Sequence, residues 1–334
     1  MQTPAGAAVN VLDASGRLVR TPEALAHLHD LVRAEPALRR FTGTRPAPLP
    51  WGSSALFSAG RWSGEEEVLL KIGVSPGQRL WNRELAVRDP SLVPRTLADG
   101  ARLADVEVGW SVLERLQHGL DASWCGAEFT LLADAAARFQ RAARSVDASS
   151  GELTLETVRG WLLAGAERDA PGPVESVLAR LEEDWSFVTQ VCPPEVCHGD
   201  LHLANALVRE PAPALTPAVL VDAEPCRTPW VVESGYAQVL NSDPTRAGWR
   251  NLAAVVASRR TAHGLPVARS EDVDRAATAA LAWNAARMWD VLGPVPDPAW
   301  RPAAVWEQQI LQYLEAGAGN AGGPSSSAGR RVDP

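Results

Sequence analysis

Residues 196–224 read VCHGDLHLANALVREPAPALTPAVLVDAE. Two short apolar runs stand in this stretch, at 206–208 and 218–221, joined by REPAPALTP. That proline-rich join cannot be a strand interior, so the simplest reading is a hairpin of two antiparallel strands. Asn205 then enters the first strand and Asp222 leaves the second. Both positions lie at one end of the ladder, and their side chains can converge there. Asp200, five residues before Asn205, sits in a loop at that same end. Three oxygen-bearing side chains would meet at one point. Such a set suits a hard cation: Mg²⁺ takes one or two carboxylates together with phosphate oxygens and water. A carboxylate left off the metal can orient a hydroxyl and accept its proton. A second reading makes His198 and His202 metal ligands, because H-x-D-x-H resembles hydrolase metal runs. The six histidines form no further cluster of matching spacing.

The bulk properties narrow the field. The chain has 334 residues, long for one compact domain and comfortable for two lobes around a cleft. Hydrophobic residues make up 46% and charged residues 22%, enough for a real core. A net charge of −8 argues against a nucleic-acid binder held by phosphate contacts and is compatible with a cationic small molecule. No apolar run is long enough to span a membrane. The first twenty residues, MQTPAGAAVNVLDASGRLVR, lack the basic-then-apolar layout of a signal peptide, so a cytoplasmic protein is expected. Cys125, Cys192, Cys197 and Cys226 match no disulfide framework and no zinc pattern, and reduced thiols are expected.

Along the chain, Thr21 can cap a helix whose first turn holds Pro22 and whose apolar positions are Leu25, Leu28 and Val32. Residues 43–52 read as a linker. SSALFS at 53–58 and EVLLKIGV at 67–74 read as a hairpin across AGRWSGEE. Residues 78–88 read as a short helix and 106–113 as a strand. From 127 the periodicity turns helical: around 131–139, 155–162 and 177–185, and after the β insert around 245–259, 271–291 and 302–315. The Gly/Ser-rich tail from 316 is expected to be disordered. The division expected is an N-terminal extension at 1–20, a β-rich lobe at 21–115, a helical lobe at 116–315 and a tail at 316–334. The fold class is α+β and bilobal.

Lys71, in EEEVLLKIGV at 65–74, is the only lysine among 32 basic side chains. A chain that uses arginine everywhere else has kept one lysine on a strand.

D-x-x-x-x-N, an apolar strand and a closing Asp form the catalytic arrangement of kinases. HGDLHLAN at 198–205 with VLVDAE at 219–224 resembles the aminoglycoside phosphotransferase family, the kinase-like small-molecule phosphotransferases. The order and texture of the chain from about 50 to 315 fit that family, although the match is sharp only here and around Lys71. The resemblance implies a protein-kinase-like fold, ATP or GTP as phosphate donor, and Mg²⁺. It implies Asp200 as the catalytic aspartate facing the acceptor hydroxyl, Asn205 and Asp222 as metal ligands, and His198 as a brace of the loop. It also implies Lys71 on the nucleotide phosphates, positioned by a helix glutamate. Glu84 is the candidate: Leu80, Glu84 and Val87 share one helix face, so a glutamate among apolar residues wants a partner. Pairing with Arg83 or Arg88 is the alternative. Ser53 and Ser54 stand where the phosphate-covering hairpin would be, although neither a G-x-G-x-x-G nor a P-loop is present. SVLERLQHG at 111–119 resembles the hinge that reads adenine, near Glu114 to Leu116.

The acceptor is expected between Asp200 and the C-terminal helices. Trp230, Trp249, Trp283, Trp289, Trp300 and Trp306 are candidates to stack on it, and Glu233 and Asp243 are candidate acids for an amine. The first expectation is an O-phosphotransferase acting on a small hydroxylated acceptor, an antibiotic first. A sugar, an amino alcohol or a biosynthetic intermediate comes next, and a catalytically silent kinase-like binding module is a second class. A protein kinase is disfavoured by the missing Gly-rich loop and the missing D-F-G and A-P-E segments. A monomer or homodimer is expected.

Overall fold

The structure, a computed structural model, describes residues 10–48, 55–116, 118–121, 127–168, 173–210, 216–242, 251–292 and 303–319. The N-terminal part opens with α1 (Pro22–Ala34), whose first turn is capped by the Thr21 hydroxyl accepting from the Ala24 amide. Strands β1 (Phe41–Gly43) and β2 (Ala47–Pro48) follow, the first ending where the expected linker begins and the second within it. Both pair with β3 (Leu56–Trp62), which pairs with β4 (Glu66–Ile72) in a hairpin. Ser63 and Gly64 make its turn at φ 54 and 82, so the strand reaches further into AGRWSGEE than the sequence suggests. Helix α2 (Pro76–Arg88) carries a capping box between Ser75 and Gln78. Strands β5 (Thr96–Gly100) and β6 (Trp110–Glu114) complete a sheet of order β1-β3-β4-β6-β5, with β2 beside β3. The strand expected at 106–113 therefore starts at Trp110, and β5 had no expectation at all.

The C-terminal part contains β7 (His118–Gly119), α3 (Glu128–Ala143), β8 (Gly151–Glu152), α4 (Leu155–Glu167), α5 (Pro173–Ala179) and α6 (Leu181–Val191). The single helix expected at 177–185 is thus two, broken at Arg180. Next come β9 (Glu195–Cys197), β10 (Ala206–Val208), β11 (Val219–Leu220), β12 (Cys226–Thr228), α7 (Trp230–Leu240), α8 (Leu252–Ala262), α9 (Ser270–Leu292) and α10 (Ala303–Gly319). Helix α10 runs into the tail expected to be disordered from 316; residues 320–334 lie outside the described residues. No helix among the described residues is long and apolar enough to cross a membrane. Cys192, Cys197 and Cys226 are free thiols, and Cys125 lies outside the described residues.

Two apolar cores result. The smaller joins Leu28 and Leu38 to Leu56, Val68, Leu70, Ile72, Trp110 and Val112. The larger lies among the helices around Phe139, Leu162, Leu181, Trp230, Trp283 and Ile310. This is the mixed α+β architecture expected, with a sheet-rich N-terminal part and a helical remainder. Helix α2 belongs to the larger core. Its buried residues are Trp81 and Leu85, and the Trp81 indole N–H donates to Ser149 O at 3.0 Å. Leu80 and Val87 are exposed, so the face read as apolar is the outer one.

Candidate active site

The insert folds as its proline pattern requires. β10 and β11 pair antiparallel with Ala206 opposite Leu220, and β7 adds on the other side of β10. The Val221 amide donates to Asn205 O at 3.0 Å, which closes the end of the ladder where Asn205 and Asp222 sit. Asp222 lies at φ 56, a left-handed conformation that costs a non-glycine residue about 1–3 kcal/mol unless its surroundings impose it. The imposition is visible: Val221 is tied to Asn205 on one flank, and the Glu224 amide donates to His198 O at 2.9 Å on the other.

The loop before β10 is braced from below. His198 is fully buried and its Nε2 meets Val221 O at 3.0 Å, while its Nδ1 accepts the Asp200 amide at 3.3 Å. That pair of partners selects the neutral Nε2–H tautomer, and burial pushes its pKa down to about 4. Both ring nitrogens are engaged, which removes His198 as a metal ligand. No cluster of three or more His, Cys, Asp or Glu able to hold a metal exists among the described residues. Gly199 turns the chain at φ 88, and a Cβ there would lie 1.8 Å from Glu224 O. Gly199→Ala should therefore cost about 3 kcal/mol or more and displace Asp200, read as a lower urea midpoint together with lost turnover.

Asp200 has both carboxylate oxygens held. Tyr236 Oη donates to Oδ1 at 2.7 Å and Asn205 Nδ2 to Oδ2 at 2.8 Å. His202 Nε2 stands 3.6 Å from Oδ2. Burial raises the Asp200 pKa, but the His202 and Tyr236 interactions outweigh it and hold the carboxyl below the usual range. Asn205 also donates from Nδ2 to Asp200 O at 3.0 Å. With its NH₂ group so used, its Oδ1 is left as an acceptor beside Asp222 at the ladder end. One amide oxygen and one carboxylate are the protein share of a magnesium site completed by phosphate oxygens, so the donor set fits that ion.

Opposite this end, Lys71 is buried on β4 with its ammonium on the Asp222 carboxylate and 5.8 Å from the Phe57 ring centroid. Lys71, Leu113, Val221 and Asp222 line one cleft between the β-rich and helical parts.

No family model matches the sequence, and no curated protein does. Solved structures do. An amicoumacin kinase in complex with AMP-PNP, Ca²⁺ and Ami aligns at TM-score 0.57 and 12% identity, over 90% of this chain and 95% of that one. An aminoglycoside phosphotransferase from Alicyclobacillus acidocaldarius aligns at 0.54 and 12%, over 85% and 93%. A choline kinase from Cryptosporidium parvum aligns at 0.54 and 8%, over 87% and 95%. The chain has the kinase-like fold of the small-molecule phosphotransferases.

Within that fold, Asp200, Asn205, Asp222, His198 and Lys71 come together, and several other residues do not. Glu84 does not reach Lys71. Its carboxylate takes Arg88 Nη1 at 2.6 Å, and Arg88 in turn holds Ser145, as Trp81 and Leu85 turn α2 into the helical core. Glu114 is a clamp. Its amide donates to Arg95 O, and its carboxylate takes Arg209 Nη2 at 2.6 Å and the Arg95 amide at 2.9 Å. Burial raises its pKa, and Arg209 reverses the shift to below the usual range. Of the expected hinge pair, Leu116 lies past the end of β6 and Glu114 has its N–H committed. Ser53, Ser54 and Asp243 lie outside the described residues.

Glu233 is no acceptor contact. It is buried under the 198–205 loop, with Oε1 accepting the Gly199 amide at 2.7 Å and Oε2 without a hydrogen-bond partner. Burial pushes its pKa up to about 7, as suits a carboxyl that keeps its proton. A pKa raised from 4.5 stabilises the fold fully at pH below 4.5, and that stability is lost as pH rises through about 7. The span corresponds to roughly 3 kcal/mol. Glu233→Gln should flatten the fall in thermal midpoint between pH 5 and pH 8 while keeping the Gly199 contact; an unchanged slope would refute the assignment. Trp230, Trp283 and Trp289 are core residues with exposures of 2%, 0% and 3%, and Trp249, Trp300 and the side chain of Trp306 are outside the described residues. Tyr236 on α7 was missed. Its only local signal is a tyrosine one helical turn after Glu233, in a segment read for its acid.

Proposed function

We propose that the protein is a nucleoside-triphosphate-dependent O-phosphotransferase that moves a γ-phosphate to a hydroxyl of a small molecule. One observation carries the reading: Asp200, held on both oxygens, stands beside an Asn205–Asp222 pair whose Asp222 carboxylate meets Lys71, in the fold of small-molecule kinases. Lys71 would meet the nucleotide phosphates, Asn205 and Asp222 would hold Mg²⁺, and Leu116 would lie along the base. The metal, when bound, neutralises phosphate charge. Asp200 is ionised at neutral pH, so it orients the acceptor hydroxyl and receives its proton as the new P–O bond forms and the bond to the departing nucleoside diphosphate breaks. Tyr236 and Asn205 fix the carboxylate plane, so little reorganisation remains for the reacting pair. ATP is the first donor to try, with GTP as the alternative.

An antibiotic is the first acceptor class, followed by sugars and amino alcohols. The test is nucleotide turnover with Mg²⁺ against such a panel, read together with product mass. A mass gain of one phosphate on an acceptor, abolished by chelation, supports the reading. Nucleotide binding without turnover on any member would favour a silent binding module.

A further inference from the structure

Arg287 projects from α9 between two aromatic faces. Its guanidinium carbon lies 4.8 Å from the Trp161 ring centroid, on α4, and 4.6 Å from that of Tyr236, on α7. All three side chains are half-buried, whereas their neighbours Asn284, Ala285, Ala286, Met288, Ala237 and Gln238 are buried. Beside Trp161, Gly160 and Leu163 are exposed, so the sandwich sits at an edge of the helix packing. Tyr236 is the residue whose hydroxyl holds Asp200 Oδ1, so the cation lies one tyrosine ring away from the carboxylate that would receive the acceptor proton.

Stacking satisfies the faces of a guanidinium and leaves its five edge N–H donors unused. Other arginines of this chain spend those donors. Arg138 holds Asp89 and Ser91, Arg209 holds Glu114 and three backbone carbonyls, and Arg260 holds Gln140, Glu195 and Pro266 O. No carboxylate or carbonyl among the described residues takes the Arg287 donors. A planar fork fixed on both faces and open at its edge matches a carboxylate, which can accept two parallel N–H bonds.

We propose that Arg287, clamped between Trp161 and Tyr236, binds a carboxylate of the acceptor while the acceptor hydroxyl faces Asp200. This rests on the phosphotransferase reading and narrows it to hydroxy acids whose two groups are separated by about a tyrosine's length. Net charge had left room for a cationic acceptor; the ionisable side chain stacked on the Tyr236 ring is a cation.

The experiment compares matched acceptors that differ in one group: gluconate against sorbitol, and pantothenate against panthenol. Each is offered with ATP and Mg²⁺ to the wild type, Arg287→Met and Arg287→Lys, and the phosphorylated product is measured by mass. The expected result is a kcat/KM at least tenfold higher for the acid of one pair. Arg287→Met should collapse that ratio to near one, mainly through KM, and Arg287→Lys should restore it only in part. Preference for the alcohols in the wild type, or an equal loss for acid and alcohol in Arg287→Met, overturns the proposal. Acceptor-free nucleotide hydrolysis is recorded alongside. If none of the four acceptors is phosphorylated, with or without nucleotide hydrolysis, the phosphotransferase reading is judged on its own wider panel. The carboxylate slot is then judged by calorimetric titration of gluconate and sorbitol: Arg287-dependent binding of gluconate alone supports it, and any other pattern overturns it.

Discussion

Asp200→Asn lowers phosphoryl transfer by about 10³-fold while nucleotide affinity and thermal midpoint stay close to wild type. The geometry separates these effects. The wild-type carboxylate accepts from Tyr236 Oη on one oxygen and from Asn205 Nδ2 on the other. An amide at 200 can keep its oxygen toward Asn205 and turn its NH₂ toward Tyr236, whose hydroxyl can accept as well as donate. The loop below is held by contacts that do not involve this side chain: His198 on Val221, Glu224 on His198 and Glu233 on Gly199. The substitution thus removes the ionised carboxylate proposed to accept the hydroxyl proton and leaves the loop's frame. Turnover, equilibrium nucleotide binding and a melting curve on one preparation decide the matter. Retained transfer would remove Asp200 from the reaction, and a collapsed melting point would make it a structural residue.

The parts of this site that could be read in the sequence are those whose partners are near in the chain. His198, Gly199, Asp200 and Asn205 are neighbours, and Asp222 is brought back by a hairpin whose proline loop marks its own ends. What was misread depends on which distant surface a helix meets. In isolation, α2 offers two faces of similar quality, Leu80 with Val87 and Trp81 with Leu85. Contact with the helical core selected the second, and Glu84 went with the first. Glu233 reads as an acid for the acceptor because nothing local says that α7 lies under the 198–205 loop. Tyr236, Trp161 and Arg287 stand on three helices separated by long stretches of chain. No periodicity within any one of them announces the stack they form.

Lys71→Arg, nominally conservative, should cost about 10²–10³-fold in turnover, the scale seen when one donor to a developing oxyanion is removed. Lys71 is 8% exposed, with Phe57 on one side and Asp222 on the other, and the strand fixes where its stem begins. An ammonium is compact and presents three rotatable donors from one atom; a guanidinium is broader and directs its donors in a plane. In a slot bounded by an aromatic ring and a backbone held in the left-handed region at Asp222, the wider group must push on one of them. Overpacking of this kind costs about 1–3 kcal/mol, which a protein with two sizeable cores can absorb. The position of Asp222 cannot absorb it so easily, because that residue is pinned on both flanks and is one of the two proposed to hold the metal. Asp222 rather than Glu84 is the partner in this structure, so the damage should fall on metal affinity as well as on the phosphates. Raising Mg²⁺ should recover part of the activity of Lys71→Arg and none of that of Asp200→Asn. Turnover equal to wild type in Lys71→Arg at limiting Mg²⁺ would sink the assignment and leave the chain's single lysine as a matter of packing.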